Sequence, residues 1–150
     1  MRPETAFQIV QLLPLPIWLT WILLPNSRAA RHLAAAVWPW VALAIVYASC
    51  FATAILTGGR LGPESFSSLS GMMSLFDPPW GALTAWTHYL CFDTFVARWM
   101  VNSAPAAGYR LAPALVATMM FGPIGLLIFW SSRRWLTPRS VSSQLQRPLA

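Results

Sequence analysis

Four apolar runs, at about 7–24, 33–57, 80–101 and 111–131, account for most of the chain. Each is close to the roughly 20 residues that a helix needs to cross a hydrocarbon core of about 30 Å. Only 9% of the residues are charged, against about 25% in a soluble domain. Too few polar groups remain to cover a water-facing surface. The expected fold is therefore an all-α integral membrane bundle of four transmembrane helices over those ranges.

The runs differ in character. Pro14 and Pro16 remove backbone donors from the first run and should bend it. A secretory signal is the competing reading, but Arg2 is offset by Glu4 and the apolar stretch is long, which favours a retained helix. The second run is rich in alanine, serine and threonine. Small residues let membrane helices approach closely, so it is expected at the centre of the bundle. The fourth carries Gly122-Pro123-Ile124-Gly125, which invites a kink or a close contact.

Between the second and third runs, Phe66, Leu69, Met72, Met73 and Phe76 recur at helical spacing while serines face away. Pro63 and Glu64 suit a helix start. The segment is too short and polar to span, and an interfacial amphipathic helix at about 64–76 is expected. Residues 1–136 read as one domain, and 137–150 as a mobile basic C-terminal tail.

The net charge of +6 comes entirely from arginine. The arginines form no stripe, so no nucleic acid is expected as a partner; anionic headgroups of the lipid bilayer suit them better. With four crossings, Arg2, Arg60, Arg133, Arg134, Arg139 and Arg147 share one side, while Arg28, Arg31 and Arg110, with Arg98 nearby, share the other. That bias predicts both termini in the cytoplasm. Cys50 and Cys91 lie in apolar runs at unrelated spacing, as small buried hydrophobes do.

Residues 80–101 hold His88, Asp93 and Arg98 inside an expected span. Ionisable groups at bilayer depth are costly and are functional candidates for that reason. Trp86 and Tyr89 lie within about 40° of Asp93 around the helix, whereas His88 and Arg98 each lie about 140° away on opposite sides. The three polar groups therefore form no triad by themselves. Asp93 suits either general acid/base work or an inter-helix tie, and His88 a proton exchanger or a chromophore contact. Arg98, near the helix end, suits a snorkelling cation. With only His32 and His88 and no thiolate pair, no metal site and no cofactor are evident.

The run Trp86-Thr87-His88-Tyr89-Leu90-Cys91-Phe92-Asp93-Thr94-Phe95-Val96-Ala97-Arg98-Trp99 resembles the W-x-H-Y-L-x-F-D-L-F-x-G-R-W core of the plant abscisic-acid-deficiency-4 (neoxanthin-synthesis) family. Phe121-Gly122-Pro123-Ile124-Gly125-Leu126-Leu127 resembles its F-G-P-x-G-L-L motif, and the likeness runs over 1–136. Thr94 stands in place of leucine and Ala97 in place of glycine. The resemblance implies a carotenoid-modifying membrane protein, with a carotenoid or other polyene lipid as partner. In plants the family is tied to converting violaxanthin to neoxanthin, which gives a proton to oxygen and takes one from carbon. Asp93 and His88 would then be acid and base, with Arg98 orienting Asp93 or the oxygen. Trp86, Tyr89, Phe92, Trp99 and Phe121 would line the polyene. Isomerisation, epoxide opening and cleavage to retinal all stay open. So does a non-catalytic carotenoid- or pigment-binding subunit of a photosynthetic or other membrane complex. No transit-peptide-like leader is seen, and a bacterial inner membrane is expected.

Overall fold

A computed structural model describes residues 2–58 and 62–136, apart from the side chains of Glu64, Arg134 and Trp135. Arg60 and the expected tail at 137–150 lie outside the described residues. Every regular element among the described residues is helical. Two helical stretches, Pro3–Leu23 and Trp38–Leu56, are long and apolar enough to cross a membrane. Only 22% of the second stretch's apolar window is buried within the protein, so most of that apolar surface faces outward.

The first run is two helices, α1 (Pro3–Leu12) and α2 (Leu15–Leu23), meeting at a bend. Pro14 has no amide hydrogen to continue the ladder, and Trp18 restarts it by donating to the Pro14 carbonyl at 3.1 Å. The second run does not begin at 33. Residues 33–35 end a separate short helix, α3 (Arg28–Ala35), whose N-terminus is capped by Ser27. The long apolar helix α4 (Trp38–Leu56) starts afresh with Pro39 in its first turn.

The expected interfacial helix at 64–76 is broken into α5 (Glu64–Ser67) and α6 (Leu69–Phe76). Ser68 is extended and its hydroxyl accepts from the Gly71 amide at 3.1 Å, so it caps α6 instead of continuing α5. The third run is α7 (Pro79–Ser103), longer than 80–101 at both ends. Pro79 pre-sets its first turn, and Ala104, which precedes Pro105, leaves the helical region.

It is α7, not α4, that occupies the centre, touching α1, α3, α4, α6 and α8. The inner seam of α4 mixes large and small residues: Trp40, Leu43, Cys50 and Ala54 are buried. Thr87 meets Cys50 there at 3.9 Å. The rest of the α4 circumference is exposed, as with Ile45 and Leu56. Centrality follows from residue polarity here. The helix that carries the polar groups is the one the others must cover.

The largest departure is the fourth run. Residues 111–131 do not form one crossing helix. After a 3-10 turn at Gly108–Leu111, α8 (Ala112–Phe121) descends and α9 (Pro123–Leu136) returns beside it. The reversal is at Gly122, with φ 51° and ψ −101°, a conformation open to glycine. Gly125 backs directly onto Thr118, whereas a continuous helix would hold residues that far apart about 10 Å from each other. The far end of α9 packs on the 3-10 turn that precedes α8, and Leu136 joins Leu111 in one buried cluster. With 10 residues, α8 reaches about 15 Å, half of a hydrocarbon core.

Gly122→Ala should lower unfolding stability in detergent by about 1–3 kcal/mol, because it forces a side chain into positive φ. Thermal unfolding followed by circular dichroism checks this; an unchanged midpoint would mean that the reversal is not made here.

Candidate functional site

Three faces of α7 carry three different arrangements. On the first, His88 and Tyr89 look into a cavity of about 390 Å³ between α4, α6 and α7. Tyr47, Phe51 and Ile55 of α4 form one wall; Met72, Leu75 and Phe76 of α6, with Phe66 of α5, form the roof. The His88 ring lies 4.5 Å from Phe92, tilted 30°, and 5.8 Å from Tyr47. Helical spacing makes the first contact, since four residues separate His88 from Phe92. The roof comes down onto α7 at Gly81, where a Cβ would collide with the Leu75 carbonyl.

The second face holds Asp93. A Cβ on Gly122 would lie 2.9 Å from Asp93 Oδ1 and 3.4 Å from Oδ2. The carboxyl is therefore packed against the hairpin tip, at the start of α9. Only glycine leaves room for the carboxyl at this point. Nearer the start of α7, Trp86 leaves Asp93 and packs on Phe7 of α1, ring centroids 6.0 Å apart.

The third face belongs to Arg98. Its Nε donates to the Ala34 carbonyl at 2.8 Å and its Nη2 to Ala35 at 3.4 Å, while the guanidinium sits 5.4 Å over the Trp40 ring. Asn102 adds a bond to Ala34 at 3.1 Å. These donors satisfy carbonyls at the C-terminal end of α3, which have no partner inside their own helix. The guanidinium is thus turned to α3 and Trp40 and away from Asp93.

The structure accordingly brings His88, Tyr89 and Phe92 together and separates them from the other expected site residues. Tyr89 joins the His88 cavity and not the Asp93 face, because a side chain midway between two faces follows the open space. Trp99 packs edge-on against Phe129 at 5.3 Å. Phe121 is exposed beside the hairpin tip. Tyr47, Phe51 and the α6 roof were missed by the sequence reading. Their signal was present: Tyr47, Phe51 and Ile55 recur at four-residue spacing. Nothing in that spacing says which helix they face.

Buried threonines close the backbone around these faces. Thr87, Thr94 and Thr118 each donate to the carbonyl four residues earlier, at 2.6–2.8 Å. Thr94 also accepts the Trp18 indole N–H at 3.2 Å, a bond that leucine at this position would not offer. Ala97 is fully buried in the close-packed centre of the bundle. Among the described residues no three His, Cys, Asp or Glu side chains gather as a metal would need.

Residues 5–129 match the ABA DEFICIENT 4-like family, and the chain belongs to it. No curated protein and no solved structure matches the chain.

Arg98→Ala should cost about 1.5–3 kcal/mol of stability, the range for hydrogen bonds from a charged donor. Arg98→Lys should recover only part of it, since lysine lacks the fork that reaches two carbonyls. Unfolding midpoints of the three proteins test this. If Arg98→Ala unfolds like the parent, the capping role is wrong.

Proposed function

We propose that this member of the ABA DEFICIENT 4-like family is an integral membrane protein that holds the end of a carotenoid in the His88 cavity and isomerises it by proton transfer. In this reading α1 with α2, α4 and α7 cross the bilayer, and the α8–α9 hairpin enters and leaves on one side. Membership in the family supports the carotenoid class. The observation that carries the site is the cavity itself, whose wall and roof are aromatic and aliphatic with His88 and two tyrosines at its edge.

A cavity of about 390 Å³ is near the lower end of the roughly 300–1,000 Å³ that suits drug-sized ligands. A forty-carbon polyene exceeds it. The cavity therefore takes one terminal ring and the first carbons of the chain, and the remainder runs out along the exposed apolar flank of α4 and α7. Flat rings at Phe51, Phe76, Phe92 and Tyr89 suit a conjugated ligand.

Opening an end-group epoxide to an allenic alcohol is such an isomerisation: a C–H bond and a ring C–O bond break while a C=C and an O–H bond form. One proton leaves carbon, one reaches oxygen, and the base afterwards returns its proton to the acid. In this reading the His88 imidazole takes the carbon proton and the phenol of Tyr47 or Tyr89 gives one to oxygen. Proton transfer between positioned groups contributes about 10²–10⁴ in rate. Asp93 and Arg98 then act as positioning residues: one seats the hairpin and the other closes α3.

A second reading is a carotenoid-binding subunit without catalysis. The separation of Asp93 from His88 favours it, because no carboxyl is among the described side chains that line the cavity.

The test is expression of the full chain in carotenoid-producing cells, followed by pigment chromatography. A new isomer that disappears in His88→Ala, and persists per folded molecule in Asp93→Asn, supports proton transfer in the cavity. A product unaffected by His88→Ala overturns that assignment. Coloured pigment that co-purifies in stoichiometric amount without any product establishes the binding reading instead.

A further inference from the structure

The hairpin redistributes charge along the bundle. Tyr109, in the 3-10 turn, donates to the Leu23 carbonyl at the end of α2, at 3.1 Å. Trp21 donates to Ala30 of α3 at 3.2 Å. Arg98 and Asn102, near the end of α7, bind the end of α3. The far end of α9 packs on the 3-10 turn. The end of α2, α3, the last turn of α7, the 3-10 turn and the end of α9 therefore form one end of the molecule.

Arg28, Arg31, Arg98, Arg110 and Arg133 all lie at that end, and no acidic residue does among the described side chains. The opposite end, where α1 and α7 begin, holds Arg2 together with Glu4 and Asp77. The helix α3 lies along the basic end with Ala30 and Ala34 buried, while Arg28, Arg31 and His32 are exposed. Those three positions share one helical face. Exposed aromatics belong to elements at the same end: Trp38, Tyr109 and Trp130, with the Arg133 guanidinium 5.8 Å over the Trp130 ring. Tryptophan and tyrosine beside arginine are the usual composition at headgroup depth.

We infer that this end is a docking surface for anionic phospholipid headgroups, with α3 lying flat in the headgroup layer of the cytoplasmic leaflet. The amino terminus is then on the opposite side of the membrane from the end of α9. A crossing helix at 111–131 would have moved Arg133 away from Arg28, Arg31 and Arg110; the hairpin returns it to them. Charge bias sets orientation through arginines near the span ends, and each one near an anionic surface adds to the attraction. A free polyanion would be drawn by the same charges, but exposed tryptophan and tyrosine at the same end fit a lipid interface.

This inference rests on the membrane reading above and is independent of the carotenoid. Two measurements on the full chain test it. In intact spheroplasts a membrane-impermeant maleimide should label Thr5→Cys, and should label Ser131→Cys only after permeabilisation, both judged against the parent's native cysteines. Equal labelling of the two before permeabilisation would overturn the orientation. Recovery of the chain in the soluble fraction would overturn the membrane reading as well. In phosphatidylcholine vesicles, adding phosphatidylglycerol should raise the unfolding midpoint. Arg28→Gln/Arg31→Gln should lose about half of that rise, two of the five arginines being gone. No rise with phosphatidylglycerol, or an equal rise in the variant, would overturn the lipid surface.

Discussion

A backbone reversal at Gly122, seated against the carboxyl of Asp93, is the contact on which the rest of the arrangement depends. Non-helical backbone is tolerated at membrane depth only where protein covers it. Asp93 lies near the middle of α7, the helix that the other elements surround. Its carboxyl lies against Gly122, where any side chain would crowd it. Gly125 against Thr118 then lets the two arms of the hairpin close.

Once the hairpin fills one side of α7, the aromatic cavity can form only on another. His88 and Tyr89 point between α4 and α6, where Gly81 lets the roof approach closely. Arg98 serves the third side by satisfying the end of α3 and covering Trp40. One helix thus separates a packed carboxyl, an open imidazole and a capping guanidinium, although all three lie within ten residues of each other. The described side chains that line the cavity include His88 and two tyrosines and no carboxyl, the set on which the proposed proton transfer draws.

Much of this was legible in the sequence, and the reasons for the remainder are physical. Apolar length and scarce charge identify the long helices, and proline places the bend at Pro14, whereas the break before Trp38 was read through. Helical angles correctly separate His88 from Asp93 and from Arg98. Direction was not legible: Gly122-Pro123-Ile124-Gly125 reads as a kink or a close helix contact, and only the packing of α9 back along α8 shows a reversal. The split at Ser68 was hidden for a related reason, since a serine that caps a new helix looks like one on a polar face. Tyr89 lies midway between two faces, and its choice depends on which neighbour leaves space. Partner helices are also absent from periodicity, which is why Tyr47 and Phe51 were not recognised as a wall for His88.

The most direct measurement is the separation of the two hairpin arms. Spin labels at Pro113→Cys and Ser131→Cys, with Cys50 and Cys91 replaced by serine, can be read by pulsed electron resonance in lipid nanodiscs. Antiparallel arms in contact place the two backbones roughly 10 Å apart, and the account predicts a short, narrow distribution. One continuous helix would hold them about 27 Å apart. A distribution centred near that longer distance would contradict the reversal at Gly122, and with it the seat of Asp93 and the gathering of the arginines at one end.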